Sequence, residues 1–399
     1  MKKIMILGAS ILQVPAIEKA IDMGLEVIAV DIDSNALGFK IPDVKKEIIS
    51  TIDIESVMSA AKKHNIDAIM TLASDMPIMT VAKVSKKLGL VGVDLDTAIK
   101  ATNKSKMRES LKSFGVPVPL FYKVDSLDKC IKAVNKIKDK GYKCILKPAD
   151  NSGSRGIVLL PDFNEKTINI AYNYSKNNSR NKIVMVEEFM EGPEVSVETI
   201  SVDGKCNIIQ ITDKITTGAP YFVEMGHSQP SQLPDSIKDK IKEITIAANK
   251  AIGIISGPSH TEIKITQNGP KIVEIGARLG GDNITTHLTP LSTGVDMVES
   301  CIKIALGETP DIRIKYDKAS AIRYFDQSHG RIKSIRGVEE ASKLPGIIQI
   351  SIIHGKDHII NGIKSSSDRV GFVIGQADDC KGAISTVIKA LSLIKIDLY

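Results

Sequence analysis

Several patterns that would point to particular protein classes are absent from this chain. It has no tryptophan, and its five cysteines stand apart without a C-x-x-C pair or metal-type spacing, which favours a reducing, cytoplasmic setting. The apolar run after the first three residues stops at Gly8, so a first β-strand is favoured over a signal peptide. Because no apolar run approaches membrane-spanning length, no membrane partner is predicted.

Two common nucleotide-binding fingerprints are missing as well. Residues 8–13 offer one glycine where dinucleotide binding needs G-x-G-x-x-G, and no G-x-x-x-x-G-K-[ST] occurs anywhere. The net charge of +6 arises from 53 Lys and Arg against 47 Asp and Glu, and these lysines are scattered without a dense basic run. Nucleic acid is therefore not a predicted partner, since its footprint would cluster positive charge on one face.

What is present is the composition and rhythm of an ordinary globular protein with several domains. The length of 399 residues predicts two or three domains. Residues up to about 90 alternate strand and helix patterns, as in a doubly wound parallel sheet. Residues 213–235 are rich in Gly, Pro and Ser, and such a stretch is either a lid or binding loop or contains a hairpin.

Residues 261–275 are predicted to form a β-hairpin with one carboxylate on each strand. Alternating apolar and polar residues flank an Asn-Gly pair, which is a strong hairpin signal. We predict a three-residue loop over 267–269, because that register places Glu262 opposite Glu274. Like charges that face each other across a sheet repel, so the pair calls for a cation between them. The alternative is two acids on a solvated hairpin.

Two segments upstream carry groups suited to a nucleotide. A Ser- and Gly-rich loop follows a strand that ends near Lys147, and such loops let backbone N–H groups close around phosphate oxygens. A second apolar strand ends at residues 187–194 in acids, an aromatic and a Gly-Pro turn. Alone, each segment is a common turn or hairpin. Their order along the chain, followed by the acid pair and Arg278, carries the information.

The order of these elements resembles that of the ATP-grasp superfamily of carboxylate–amine ligases, and most closely that of its L-amino-acid ligase group. The elements are a lysine with a flexible loop, an acidic strand end, an acid pair and an arginine. The resemblance covers residues 104–307 and implies an α/β and α+β fold. A doubly wound pre-grasp domain at 1–95 would precede a two-subdomain ATP-grasp domain at 96–309 and a small C-terminal α+β domain at 310–399. The flexible-loop subdomain would span about 118–188, and the metal-site subdomain about 189–309.

The resemblance implies ATP and Mg²⁺ as cofactors, with Mn²⁺ able to replace Mg²⁺. It assigns Lys104 and Lys147 to the phosphates, Ser152, Gly153 and Ser154 to the loop over them, Glu187, Glu188, Phe189 and Met190 to the adenine, and Glu194 to the ribose. It assigns the metal to Glu262 and Glu274. Members often have asparagine two residues after the second glutamate, whereas this chain has Gly276, so water or a neighbour such as Asp282 would complete the coordination.

The resemblance also implies residues that bind the substrates. Glu224 and His227 stand where the L-amino-acid ligase group has an E-x-x-H, so they would meet the amino end of a substrate; the alternative of ordinary polar loop residues stays open. Arg278 would bind a carboxylate or an acyl phosphate, since a planar guanidinium suits both anions. Asp75 follows a strand, where open α/β sheets bind ligands, but capping of the next helix explains its position equally well. His260 does not have the spacing of a metal ligand or of a catalytic triad.

The predicted activity is ATP-dependent joining of a small carboxylate, an amino acid being the first choice, to an amine through an acyl phosphate. The predicted partners are therefore small-molecule carboxylates and amines, and a homodimer is compatible with the family. Three alternatives stay open: a purine-pathway ligase of the phosphoribosylamine–glycine ligase type, a biotin-carboxylase-like role, and a nucleotide-binding module without ligase activity.

Overall fold

The N-terminal region is a parallel sheet flanked by helices. The computed structural model of the protein describes residues 1–151, 153, 155–326 and 329–399. The region comprises β1 (Lys3–Leu7), α1 (Val14–Asp22), β2 (Glu26–Asp31), a 3₁₀ turn (Leu37–Lys40), β3 (Lys45–Ile48), α2 (Ile54–His64), β4 (Ala68–Thr71) and α3 (Ile78–Leu88). The strands lie in the order β3-β2-β1-β4 and pair in parallel, which confirms the predicted doubly wound pattern.

Two helices and an antiparallel sheet follow. The elements are α4 (Leu95–Thr102), α5 (Lys104–Ser113), β5 (Phe121–Val124), α6 (Leu127–Lys138), β6 (Cys144–Pro148), β7 (Val158–Leu159), α7 (Glu165–Asn177) and β8 (Val184–Glu188). The strand order is β5-β8-β6-β7. The helix α5 begins at Lys104 because the side chain of Asn103 accepts a hydrogen bond from the Lys106 amide, which satisfies a free N–H of the first turn.

An eight-stranded antiparallel sheet forms the largest part of the molecule. Its region comprises β9 (Glu194–Val202), β10 (Lys205–Thr216), β11 (Glu224–Gln229), α8 (Asp235–Ile252), β12 (Gly257–Thr266), β13 (Gly269–Gly276), a π-helical turn (Ile284–Leu288), α9 (Thr289–Thr293) and α10 (Met297–Ala305). The strand order is β13-β12-β9-β10-β11, followed by three strands of the C-terminal region. Ile241, Ala248 and Ile252 of α8 are buried, so this helix packs one face against the core.

The C-terminal region shares this sheet. It comprises β14 (Ala319–Tyr324), β15 (His329–Arg336), α11 (Val338–Ser342), β16 (Ile347–Ile352), β17 (Ile359–Asn361), a 3₁₀ turn (Ser366–Asp368), β18 (Gly371–Ala377), α12 (Cys380–Leu393) and β19 (Lys395–Leu398). The large sheet continues as β14-β18-β16, and β17-β15-β19 form a small separate sheet. The sheet therefore runs past residue 309, and the domain boundaries themselves stay predictions.

The stretch at 213–235 contains the hairpin that the sequence left as one of two alternatives. Strand β10 extends to Thr216, β11 begins at Glu224, and Lys214 pairs with His227 across them. The polar residues of this stretch therefore lie on paired strands, where their direction is fixed.

The five cysteines form no disulfide. Within the described part of the chain, no helix has both the length and the apolar character that crossing a membrane requires.

Candidate active site

The hairpin of β12 and β13 brings its two carboxylates face to face. Glu262 is paired with Glu274, as predicted. The turn that achieves this was predicted wrongly: Thr266 pairs with Gly269 and leaves a two-residue loop. A register shift next to Glu262 restores the alignment, because Val273 is inserted as an extra residue on β13. The prediction of a shared face is therefore confirmed, with a β-bulge in place of the longer turn.

A cavity of about 450 Å³ lies beside this hairpin, between the N-terminal sheet, the β6 and β8 strands and the large sheet. Most of the residues that the sequence predicted for the site line it: Lys104, Lys147, Gly153, Glu188, Phe189, Met190, Glu194, Glu224, His227, Glu262, Glu274 and Arg278. Ser152 and Ser154 lie outside the described residues. Glu187 is not among the lining residues.

Glu187 belongs instead to a buried ion cluster behind Lys147. Its carboxylate accepts hydrogen bonds from Arg108 Nε at 2.8 Å and from Lys147 Nζ at 2.9 Å, and its side chain is fully buried. Burial opposes its ionisation, but the charges of Arg108 and Lys147 outweigh burial and lower its pKa to about 2. We name these three residues the Glu187 cluster. Their arrangement directs the Glu187 carboxylate at Arg108 and Lys147, and its predicted contact with adenine stays a prediction.

Lys104 connects the start of α5 to the acid pair. Its Nζ lies 3.0 Å from Glu274 Oε2 and donates to the Asn151 carbonyl at 2.9 Å. Burial opposes its charge, but the carboxylate of Glu274 outweighs burial and raises the pKa of Lys104. The lysine is therefore held charged at the cavity surface, beside the loop that follows β6.

Lys214 forms ion pairs with three carboxylates on the opposite side of the cavity. Its Nζ lies 2.8 Å from Glu194, 2.8 Å from Glu262 and 3.5 Å from Glu224. Burial opposes its charge, but the three carboxylates outweigh burial and raise its pKa well above the ordinary value. We name these four residues the Lys214 cluster. Lys214 was missed in the sequence, where its segment had no defined strand; the alternation of polar residues at 210, 212, 214 and 216 is the signal that would have found it.

The strand β8 ends in the residues predicted to contact adenine. Phe189 and Met190 line the cavity, and the Phe189 ring lies 6.0 Å from the ring of Phe222, a residue that the sequence did not single out. The Glu188 carboxylate forms an ion pair with Lys271 and accepts a hydrogen bond from the Leu120 amide at 3.0 Å. The arrangement leaves two aromatic faces and the apolar Met190 for a flat ring.

Arg278 is held by a residue of the N-terminal region. Its Nε donates to Asp75 Oδ1 at 2.8 Å and its Nη2 to Oδ2 at 3.3 Å. Burial opposes the charge of Arg278, but Asp75 outweighs burial and raises the arginine pKa. A Cβ at Gly276 would come within 3.0 Å of Asp75 Oδ1 and 3.3 Å of Arg278 Nε. The absence of asparagine at 276 therefore fits this ion pair. The helix-cap alternative for Asp75 is wrong, because the N-cap of α3 is Pro77, without a side-chain hydrogen bond, and the Asp75 carboxylate binds Arg278.

The E-x-x-H pair lies at one end of the cavity with Asp282. The His227 ring is buried, and among the residues that the structure describes neither of its nitrogens makes a hydrogen bond, although Nε2 lies 3.6 Å from Asp282 Oδ2. Arg369 of the C-terminal region holds Asp282 with two hydrogen bonds of 2.7 and 2.8 Å and donates to the Glu224 carbonyl. Asp282 is thus engaged by an arginine, as Glu262 and Glu274 are by lysines, and its part in metal coordination stays a prediction. Unpartnered buried nitrogens that face a cavity are suited to a ligand.

A row of interacting buried side chains connects β9 with the acid pair. Glu198 Oε1 lies 2.7 Å from His260 Nδ1, and His260 Nε2 lies 3.6 Å from Glu262 Oε1. Burial opposes the charge of His260, but Glu198 and then Glu262 outweigh burial and raise its pKa to about 9. His260 therefore has a partner on each side, although its sequence spacing gave no indication of this. The two strands β9 and β12 bring the residues together, since His260 pairs with Glu198 in register.

The acid pair fits a divalent cation that is bound together with a ligand. Glu262 and Glu274 face each other and both line the cavity. Among the residues that the structure describes, no group of three or more His, Cys, Asp or Glu side chains is arranged to hold a metal. Mg²⁺ is commonly held by one or two carboxylates with phosphate oxygens and water, so two carboxylates are the number such a site requires.

Comparisons with known proteins identify two kinds of domain in this chain. Residues 140–286 match the family model of the ATP-grasp domain, and residues 323–399 match that of the L-amino acid ligase C-terminal domain 2. An L-arginine-specific L-amino acid ligase of Bacillus subtilis is 26% identical over 334 residues, covering 82% of this chain and 78% of that protein.

Two solved structures share the whole fold. The L-amino acid ligase from Bacillus licheniformis superposes with a TM-score of 0.85 at 20% identity, covering 100% of this chain and 99% of that one. The phosphoribosylglycinamide synthetase from Anaerococcus prevotii gives 0.81 at 22% identity, covering 100% of both chains. The chain therefore contains an ATP-grasp domain and an L-amino acid ligase C-terminal domain 2, and its relatives include ATP-dependent carbon–nitrogen ligases.

Proposed function

We propose that this enzyme is an ATP- and Mg²⁺-dependent ligase that joins a small carboxylate, an amino acid, to an amine through an acyl phosphate. The observation that carries the proposal is the pairing of Glu262 with Glu274 in a cavity that Lys104, Lys147 and Arg278 also line. Phosphoryl transfer to a carboxylate needs three kinds of group: opposed carboxylates, lysines that bind phosphate and an arginine that binds the carboxylate.

The nucleotide would lie along the β6, β8 and β13 side of the cavity. Lys104 and Lys147 would contact the phosphates, with Gly153 and its neighbours Ser152 and Ser154 above them. Phe189 would pack on the adenine, next to Glu188 and Met190, and Glu194 would meet the ribose hydroxyls. Glu187 would act through Lys147, whose ammonium it holds at 2.9 Å.

Glu262 and Glu274 would hold Mg²⁺, which when bound neutralises charge on the phosphates. Arg278 would orient the carboxylate, whose oxygen attacks the γ-phosphorus and gives the acyl phosphate and ADP. At the other end, His227 and Glu224 would receive the amine, which then displaces phosphate as the new C–N bond forms. In the neutral His227 ring one nitrogen carries a proton and the other is an acceptor, and this acceptor nitrogen would take the hydrogen bond or proton from the amine.

A purine-pathway ligase is the second candidate, because the Anaerococcus synthetase shares the fold over its whole length. A phosphoribosyl group would bring a phosphate to the end of the cavity that Glu224 and Asp282 line. Their carboxylates disfavour an anion there, and Arg369 is already engaged by Asp282. The charge of this end therefore favours an amino acid.

The experiment is ADP release from ATP with a panel of amino acids, dipeptides and phosphoribosylamine, offered singly and in pairs. We expect release only when a carboxylate and an amine are both present, and a Glu274→Gln variant should turn over at least about 10²-fold more slowly. Glu191→Gln is the control, since Glu191 forms an exposed pair with Lys143.

Release with phosphoribosylamine and glycine alone would support the purine-pathway reading. Nucleotide binding without release for any pair would support a binding module. A homodimer and a cytoplasmic location remain predictions from the sequence.

A further inference from the structure

The alignment of the two acidic residues depends on one inserted residue. In a regular strand successive side chains point to opposite faces, yet Val273 and Glu274 both line the cavity. Ile263 pairs with Ile272, and the next pair is Glu262 with Glu274. If the register set by the turn continued unchanged, Glu262 would pair with Val273, and Glu274 would point to the other face of the sheet.

The extra residue is held by a buried arginine. Arg108 Nη2 donates to the Val273 carbonyl at 2.7 Å, and the Arg108 side chain is fully buried. The bulge leaves this carbonyl outside the regular ladder, where a buried acceptor would be costly without a donor. The guanidinium supplies the donor, and its other contacts run to Glu187 at 2.8 and 3.2 Å.

The same helix also contacts the next residue of β13. Lys104 and Arg108 stand one turn apart on α5, so they lie on one face of the helix. Lys104 Nζ lies 3.0 Å from Glu274, while Arg108 binds the carbonyl of Val273. One face of α5 therefore contacts both the backbone of the bulge and the Glu274 carboxylate, whose direction the bulge changes. Through Glu187, the guanidinium is also connected to Lys147.

We propose that Arg108 is a positioning residue that holds the Val273 bulge, so that Glu274 faces Glu262 and the pair can take a divalent cation. The inference rests on the proposed metal role of these two glutamates. Arginine is needed because its planar fork serves the Glu187 carboxylate and the Val273 carbonyl together, which the compact ammonium of lysine does not.

The test is binding of Mn²⁺ to the full-length protein with saturating ADP, measured by titration calorimetry and by the loss of the free Mn²⁺ electron paramagnetic resonance signal. Arg108→Lys keeps the charge beside Glu187 but loses the second contact. We expect its Mn²⁺ dissociation constant to rise about tenfold or more, and its ADP dissociation constant in EDTA to change less, because the charge beside Glu187 and Lys147 is kept. Lys106→Met, on the exposed side of the same helix, should bind Mn²⁺ as the wild type does.

Deletion of Val273 is the second variant. It should bind ADP in EDTA and lose Mn²⁺ binding, and adding Arg108→Lys to it should cause no further loss, because both changes act on one feature. Wild-type Mn²⁺ affinity in folded Arg108→Lys overturns the inference. If Arg108→Lys does not fold, wild-type affinity in the deletion variant overturns it.

A Glu262→Gln variant separates this inference from the proposed function. If Glu262→Gln binds Mn²⁺ as tightly as the wild type, the metal assignment itself fails. If Glu262→Gln loses Mn²⁺ while Arg108→Lys and the deletion keep it, only the role of Arg108 fails.

Discussion

The Glu187 cluster and the Lys214 cluster use the same kinds of charged residue in opposite proportions. In the first, Arg108 and Lys147 share one carboxylate. In the second, one lysine lies within 3.5 Å of three carboxylates. The cavity therefore has a surplus of positive charge on one side and of negative charge on the other. Such a division suits a ligand that brings phosphates to the first side and a cation to the second.

The two clusters also differ in what reaches the cavity. Glu187 and Arg108 are fully buried, and Lys147 is the member of their cluster that lines the cavity. All four members of the Lys214 cluster line it. A buried cluster can act only through the group it presents, whereas members that line the cavity can each meet a ligand. The first cluster is accordingly a support for one lysine, and the second is a binding surface.

Removing Lys214 should produce the largest effect on stability. Lys214→Met leaves three carboxylates close together without their shared cation, so we expect the free energy of unfolding to fall by about 3–5 kcal/mol. Guanidinium chloride unfolding measures this, and millimolar Mg²⁺ should recover part of the loss because it replaces the missing charge. Lys264→Met removes a more exposed partner of Glu194 and should cost about 1 kcal/mol or less. Equal stability of Lys214→Met and the wild type would contradict the comparison.

Removing Glu187 should give a smaller loss with a defined pH dependence. The pKa of Glu187 is lowered from the ordinary 4.5 to about 2. Its stabilisation is therefore complete above pH 4.5 and is lost as the pH falls through 2. We expect Glu187→Gln to be less stable than the wild type by about 3 kcal/mol at pH 7.

Urea unfolding at a series of pH values tests this difference, which should shrink steadily below pH 4.5. Glu191→Gln, at an exposed ion pair, should show no such trend. A gap between Glu187→Gln and the wild type that stays constant down to pH 3 would show that the carboxylate charge is not its source.

Weakening the Asp75–Arg278 ion pair should give the smallest effect, and we expect this effect in the use of the carboxylate substrate. In Asp75→Asn the guanidinium loses its charged partner but keeps a neutral one, so we expect kcat/KM for the carboxylate to fall about tenfold. The ADP dissociation constant should change less, because both hydrogen bonds of the Asp75 side chain go to Arg278 and only its charge acts on Lys104. Steady-state kinetics and ADP titration measure the two quantities. Asp96→Asn, at an exposed helical pair, is the control, and a matching loss there would remove the specific role of Asp75.

Much of the site could be predicted from the sequence because its residues stand next to local signals. Lys147 ends an apolar strand, Phe189 follows another, and Glu262 and Glu274 flank a turn. The roles of Asp75 and His260 lack such signals. Asp75 meets Arg278 only because the N-terminal sheet packs against the end of β13, and these two residues are 203 positions apart. His260 acquires its role from a neighbour on another strand, which no spacing along one strand can show.

The sequence by itself determined the order of elements, the doubly wound start and the two acids of the hairpin, because periodicity and turn residues are local properties of the chain. The tertiary structure alone decided that a bulge at Val273 sets the register, that Arg108 supports it, and that Lys214 balances three carboxylates. These are contacts between residues far apart in the chain. The charge of a buried group depends on every element packed around it, so its partners are known only once the chain has folded.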